Sequence, residues 1–303
     1  MLARLQQLIT LSLLGLAVIW AAQCLRAGKP GWALAGTLLI ALGYAVVLAL
    51  EFVLLRWTHG ADPAPRASVR QLVIAWLGEV LTAPRVFCWR QPFRHHRHAD
   101  HLPPLGRGRR GVLLVHGFVC NRGLWNPWMP RLKELGVPFV AVDLEPVFGS
   151  IDHYPAHIEA GLRRLEAATG VPPVIVAHSM GGLAVRAWLR DSKGDARVHR
   201  VVTIGTPHHG TWLGRFGRTA NTRQMQLDGP WIRALAAQEP PQRYARFSCF
   251  YSHCDNIVFP PSTATLPGAD NRHIAGWSHV HLAYHEEVFN EVLRWLGPVA
   301  ETR

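Results

Sequence analysis

Lysine is nearly missing from this chain. Of its 32 basic residues only Lys29, Lys133 and Lys193 are lysine, and the arginine excess leaves a formal net charge of +12. Such a balance suggests a polyanionic partner. No nucleic-acid-binding motif accompanies it, so nucleic acid is set aside and an anionic lipid surface explains the charge with fewer assumptions. Cysteine is scarce and unpatterned: residues 24, 88, 120, 249 and 254 form no CxxC and no even framework. That excludes a disulfide-stapled scaffold, and five free thiols agree with a reducing compartment. The run HHRHADH at 95–101 lacks the spacing of a zinc site and reads as a solvated loop. No metal and no cofactor are expected.

Charge is missing altogether from residues 5–25, and residues 31–55 carry only Glu51. Each stretch exceeds the ~20 residues that a helix needs to cross ~30 Å of hydrocarbon. The short RAGKP link between them predicts a transmembrane helical hairpin within residues 1–57, with helices at 5–25 and 32–55 and with Trp32 and Trp57 at headgroup level. A cleaved signal peptide is the competing reading of the first stretch, because Arg4 precedes it and Ala21 and Ala22 are small. A second apolar stretch following at once speaks against it, and Gln23 is too large to precede a lipoprotein Cys24. Residues 56–110 hold ten arginines against Asp62, Glu79 and Asp100, so the positive-inside rule places both termini and the following domain on the cytoplasmic face.

Residues 58–110 read as a basic juxtamembrane linker. Within it Ser68 is suited to cap a helix reaching about Thr82, with Val69, Leu72, Val73, Trp76, Leu77 and Val80 at helical spacing. Pro84 is expected to stop that helix. The helix is expected either to lie in the membrane interface or to pack on the domain that follows.

From Gly111 the pattern alternates. Strands are predicted at 112–116, 138–142, 173–178, 199–204 and 247–252, each nearly continuous in apolar residues, and helices at about 127–135, 154–169, 180–191 and 284–296. This predicts an α/β domain over 111–303, a mostly parallel sheet with helices on both faces. Residues 207–246 are too long for a simple connection. With Trp212, Phe216, Met225, Leu227, Trp231, Ile232 and Leu235 they predict a cap that offers apolar wall to a ligand.

The most informative run is VIVAHSMGG at 174–182, a strand that breaks at Ser179 into a helix start. A serine on so sharp a turn needs small neighbours two residues away on each side, here Ala177 and Gly181. VLLVHGF at 112–118, IGTPHHGT at 204–211, YSHCDNIVFP at 251–260 and AGWSHVHL at 275–282 follow in an order that resembles the α/β-hydrolase fold, and within it bacterial lipases and esterases of the triacylglycerol-lipase type. The resemblance covers residues 112–296 and leaves the first hundred outside. Ala177 departs from the usual glycine.

The resemblance implies a serine hydrolase that cleaves carboxylic esters through an acyl-enzyme. Ser179 would be the nucleophile, His279 the base and Asp255 the acid, in the chain order of the fold. His281 and His285 compete with His279, and Asp143 and Asp270 with Asp255. Oxyanion donors would be the N–H groups of Phe118 and Met180, with His116, Gly117, Ala177, His178 and Gly181 supporting the elbow and the oxyanion loop. His208 and His209, after a strand end near the site, read as loop structure, with substrate contact as the alternative. A serine at the elbow excludes epoxide hydrolases and haloalkane dehalogenases of this fold, which use aspartate there. The structural calcium of some lipases lacks a convincing carboxylate pair. An acyltransferase or thioesterase using the same triad remains open, as does a non-catalytic membrane scaffold, for which a full set of reactive residues would be superfluous. The expected partners are a lipid or other acyl ester and the bilayer itself, and the expected location is the bacterial inner membrane, multi-pass.

Overall fold

The structure, a computed structural model, describes residues 1–104 and 106–297. Three apolar helices come first: α1 (Leu2–Arg26), α2 (Pro30–Thr58) and α3 (Val69–Pro84). α1, α2 and the run from Val69 to Arg94 are each long and apolar enough to cross a membrane. Ser68 caps α3, accepting from the Gln71 N–H while the Gln71 side chain accepts from the Ser68 N–H.

Pro84 does not end the helical run as expected. The chain continues through a π-helical segment, Arg85–Arg90, into α4 (Gln91–Arg94). A proline inside a helix strips the carbonyl four residues earlier of its donor. Here that carbonyl belongs to Val80, and the Tyr44 hydroxyl of α2 donates to it at 2.7 Å. Trp76 Nε1 donates to the Ala45 carbonyl of α2 at 2.8 Å, and Gln7 of α1 donates to the Pro92 carbonyl. α3 therefore lies against the second half of α2, and α4 against the start of α1.

The remainder is a three-layer α/β unit. Strands β1 (Val112–Val115), β2 (Phe139–Val142), β3 (Val174–His178), β4 (Arg200–Ile204), β5 (Phe247–Tyr251) and β6 (Asp270–His273) form one sheet in the order β2-β1-β3-β4-β5-β6, every pair parallel. The helices after Gly111 are α5 (Trp128–Glu134), α6 (Pro155–Thr169), α7 (Met180–Ser192), α8 (Ala220–Gln224), α9 (Pro230–Ala237), α10 (His279–Leu282) and α11 (Glu286–Leu296). Alternation along the strands divides the core. Leu113, Val115, Ile175 and Ala177 face α6 and α7, whereas Val112, Leu114, Val174 and Val176 face α5 and α11.

Residues 207–246 form short helices. Met225, Ile232 and Leu235 turn into the core beside α7. Trp212 packs edge-on against Trp57 at the end of α2. A further cluster joins Phe52 and Leu55 of α2 and Leu72 and Ala75 of α3 to Cys254 and Phe259 of the sheet domain. Asp62 accepts from the Ser262 N–H and hydroxyl. The apolar helices are thus packed on the α/β domain through a continuous seam.

Candidate active site

The strand order reverses between β1 and β3, so the loops leaving their carboxyl ends diverge and open a crevice, the usual ligand position in such sheets. His116, Gly117 and Phe118 follow β1, Ser179 follows β3, Gly205 follows β4 and Asp255 follows β5. All the predicted residues meet at this end of the sheet.

Ser179 has φ 54° and ψ −130°, a conformation that costs roughly 1–3 kcal/mol for a residue with a side chain. Its N–H donates to the Ile204 carbonyl at 2.8 Å and its carbonyl accepts from the Gly182 N–H at 3.0 Å, which over-determines the turn. Space decides the neighbours. A Cβ on Gly181 would stand 2.5 Å from the His116 carbonyl oxygen, and one on Gly117 would stand 2.7 Å from Ser179 Cβ. Ala177 lies inside β3 in register with Val115 and Thr203, and its methyl fills core space beside α7. A glycine is not demanded there, which accounts for the departure.

His279 begins α10, and its Nδ1 lies 2.9 Å from Asp255 Oδ2. Asp255 Oδ1 accepts from the N–H groups of Ile257 and Val258, leaving Oδ2 aimed at the ring. A Cβ on Gly205 would meet Asp255 Oδ2 at 2.8 Å and His279 Nδ1 at 3.1 Å, so the loop after β4 runs close against the pair. With Nδ1–H donated to the carboxylate, the network assigns Nε2 as the free acceptor. Burial disfavours the imidazolium, but Asp255, with Glu79 and Glu51 behind it, outweighs burial and holds the His279 pKa above its ordinary value. Among the described residues no hydrogen bond links the Ser179 hydroxyl to His279, a looseness common before substrate binds.

The flanking histidines are scaffold. His178 packs its ring 4.7 Å from that of His279, and its Nε2 bonds the His279 carbonyl at 3.1 Å. Burial, reinforced by His279, pushes its pKa down to about 3, which keeps it neutral. His116 accepts the Leu144 N–H at Nε2 and donates Nδ1–H to the Gly117 carbonyl. The N–H groups of Phe118 and Met180 have no partner among the described residues. Phe118 packs edge-on against Phe148, an apolar contact beside the crevice that sequence reasoning missed.

The competing residues are occupied elsewhere. His281 stacks on Trp277 and lies against Gly78 of α3, and His285 caps α11 by accepting from the Glu287 N–H. Asp143 accepts from the Arg122 N–H, and Asp270 pairs with Arg272 on the edge strand. His208 is fully buried against Thr203, and the His209 backbone N–H donates to the Thr263 carbonyl while its side chain is half-buried. In the histidine-rich run, Asp100 binds Arg122 and Arg164, and His101 pairs its backbone with Phe139.

Three polar residues near the site were overlooked. Asn256 accepts the His279 N–H through Oδ1, and its Nδ2 donates to Glu51 of α2. Glu79 of α3 accepts the N–H groups of Val280 and His281. Glu51 carried a signal, since a lone ionisable residue in an apolar helix is a functional candidate by default.

A reversing parallel sheet with a strained serine at its crevice defines a hydrolase-type architecture, and comparison with known proteins names it. Residues 112–297 match the alpha/beta hydrolase family, and the chain belongs to that family. Its fold is similar to that of the mature lipase BlEst2 of Bacillus licheniformis, with 20% identity, TM-score 0.56, and coverage of 65% of this chain and 95% of the other. It is also similar to lipase B of Aspergillus fumigatus, with 18% identity, TM-score 0.52, and coverage of 65% and 55%. None of the curated proteins matches the chain.

Proposed function

We propose that the protein is a membrane-anchored serine hydrolase that cleaves carboxylic esters of apolar acyl chains. The observation that carries this reading is the Asp255–His279 pair standing beside a strained Ser179 at the sheet's switch point. Family membership and the lipase fold of the solved relatives agree with it.

In the proposed reaction Ser179 Oγ attacks the ester carbonyl carbon as its proton passes to His279 Nε2. The oxyanion that forms is met by the N–H groups of Phe118 and Met180, each such donor contributing ~3 kcal/mol. The carbon–oxygen bond to the alcohol breaks, and His279 returns the proton to the leaving oxygen. Water then gives a proton to His279 and attacks the acyl carbon; the bond from that carbon to Ser179 Oγ breaks, His279 returns the proton to Oγ, and the acid leaves. Asp255 stabilises the imidazolium in both halves.

The membrane part of the proposal rests on apolar surface. Leu34, Leu38, Leu39 and Leu42 of α2 are exposed, as are Leu11, Leu14 and Val18 of α1. On α3 the residues Val69, Val73, Leu77 and Leu81 repeat every four residues as an exposed stripe, continued by Trp89 and Phe93. Water would not tolerate so much contiguous apolar area. A hairpin crossing the bilayer, with the exposed stripe of α3 and α4 also turned to lipid, accounts for all of it.

The test is hydrolysis of acyl esters of increasing chain length by the purified full chain in lipid vesicles, beside Ser179→Ala. Turnover that rises with chain length and vanishes in the variant is expected. Equal turnover by both proteins would remove the proposal.

A further inference from the structure

Each of the three apolar helices places a polar side chain on a loop of the candidate site, Gln6 and Glu79 buried and Glu51 half-buried. Gln6 of α1 donates to the Val119 carbonyl at 3.3 Å and to Gln91 Oε1 at 2.9 Å. Val119 follows Phe118 and has φ 53°, a positive value that a β-branched residue holds only under constraint. Glu51 of α2 accepts from Asn256 Nδ2 at 2.6 Å, and Asn256 Oδ1 in turn accepts the His279 N–H at 3.1 Å. Glu79 of α3 is only 2% exposed, and it accepts from Val280 and His281 at 3.1 and 3.2 Å. The anchor thus grips the oxyanion loop on one side of Ser179 and the histidine loop on the other.

A hairpin that served only to tether the domain would have no need of these contacts. Burying a carboxylate is costly unless it is hydrogen-bonded; here the segment that carries His279 donates to Glu79, and Asn256, on the loop that carries Asp255, donates to Glu51. We propose that Gln6, Glu51 and Glu79 are positioning residues that couple seating of the membrane helices to the geometry of the catalytic loops. This rests on the triad proposed above.

The titratable groups facing His279 are Asp255, Glu79 and Glu51, with the neutral His178 ring beside it; burial pushes the Glu79 carboxyl up. Glu51→Gln keeps an acceptor for Asn256 and removes a carboxyl whose ionised form favours the imidazolium. The acidic limb of kcat/KM then moves to lower pH. Glu51→Ala and Asn256→Ala release the loop, and kcat falls by about tenfold or more at unchanged KM. Gln6→Ala lowers the rate of serine labelling by a phosphonate without moving the pH limb. Glu286→Gln, on an exposed carboxylate paired with Arg131, changes neither property.

The experiment measures pH–rate profiles of the full chain in vesicles with a short soluble ester, together with melting midpoints. A moved acidic limb in Glu51→Gln, with kcat lost at constant KM in Asn256→Ala, supports the proposal. Profiles and kcat equal to wild type in both variants overturn it, as do losses that only track the melting midpoint. Should Glu51→Ala fail to fold, Glu51→Gln and Asn256→Ala decide. An inactive wild type sinks the triad itself, whereas an active wild type with unmoved variants sinks only this coupling.

Discussion

At the scale of single residues, the site is a contest between strain and satisfaction. Ser179 accepts an unfavourable φ because two backbone hydrogen bonds and two close glycine contacts leave its turn no alternative. Gly117→Ala puts a methyl 2.7 Å from Ser179 Cβ and 3.0 Å from the His178 carbonyl oxygen, so something must shift. A displacement near 1 Å costs on the order of a hundredfold in rate. Ester turnover by Gly117→Ala in a chain that still melts cooperatively is the check. The raised pKa of His279 sets the sign of a second expectation. The base must be neutral to act, so activity climbs with pH through a midpoint above the ordinary histidine value of ~6.5. A pH–kcat/KM profile of the full chain with a midpoint at or below that value would oppose this assignment.

At the scale of elements, five of the six strands were legible because both sheet faces are covered there and each is a short, nearly continuous apolar run; β6, the polar edge strand Asp270–His273, carries no such run and was missed. The elbow was legible for a different reason: the turn dictates small residues at fixed offsets from Ser179. The continuation of the helical run past Pro84 was not legible, because its compensation comes from Tyr44, forty residues earlier. Nor was the inward turn of Met225, Ile232 and Leu235, whose spacing suits a cap wall and a core face equally well. The roles of Asn256, Glu51 and Glu79 depended on contacts between distant segments that no local pattern encodes. The Tyr44–Val80 bond is open to a double-mutant cycle. Tyr44→Phe leaves a buried carbonyl unpaired and costs about 1 kcal/mol. In a Pro84→Ala background, where residue 84 supplies its own N–H to Val80, the same change costs measurably less. Thermal melts in detergent report both, and equal penalties in the two backgrounds would show that the hydroxyl does not replace the proline's missing donor.

At the scale of the whole molecule, the catalytic domain and its apolar helices share one packed seam, through Phe52, Leu55, Leu72, Ala75, Cys254 and Phe259. The stretch that reads in sequence as a linker to the anchor is built into that seam through Asp62 and α3. With the helices crossing a bilayer as proposed, the crevice would meet esters dissolved in lipid without drawing them through water. The arginine excess at 56–110 gives the proposed orientation, with the domain on the cytoplasmic face. Reporter fusions after Arg303 check it: fluorescence from a cytoplasmic reporter is expected, and alkaline phosphatase activity would reverse the orientation.

The central claim is that Ser179 is an activated nucleophile. Incubation of the full chain with a fluorophosphonate probe, followed by peptide mass spectrometry, tests it most directly. The account predicts one adduct, on Ser179, lost in Ser179→Ala and slowed in His279→Ala. An unlabelled wild type under conditions where a control lipase reacts, or an adduct on another residue, would contradict it.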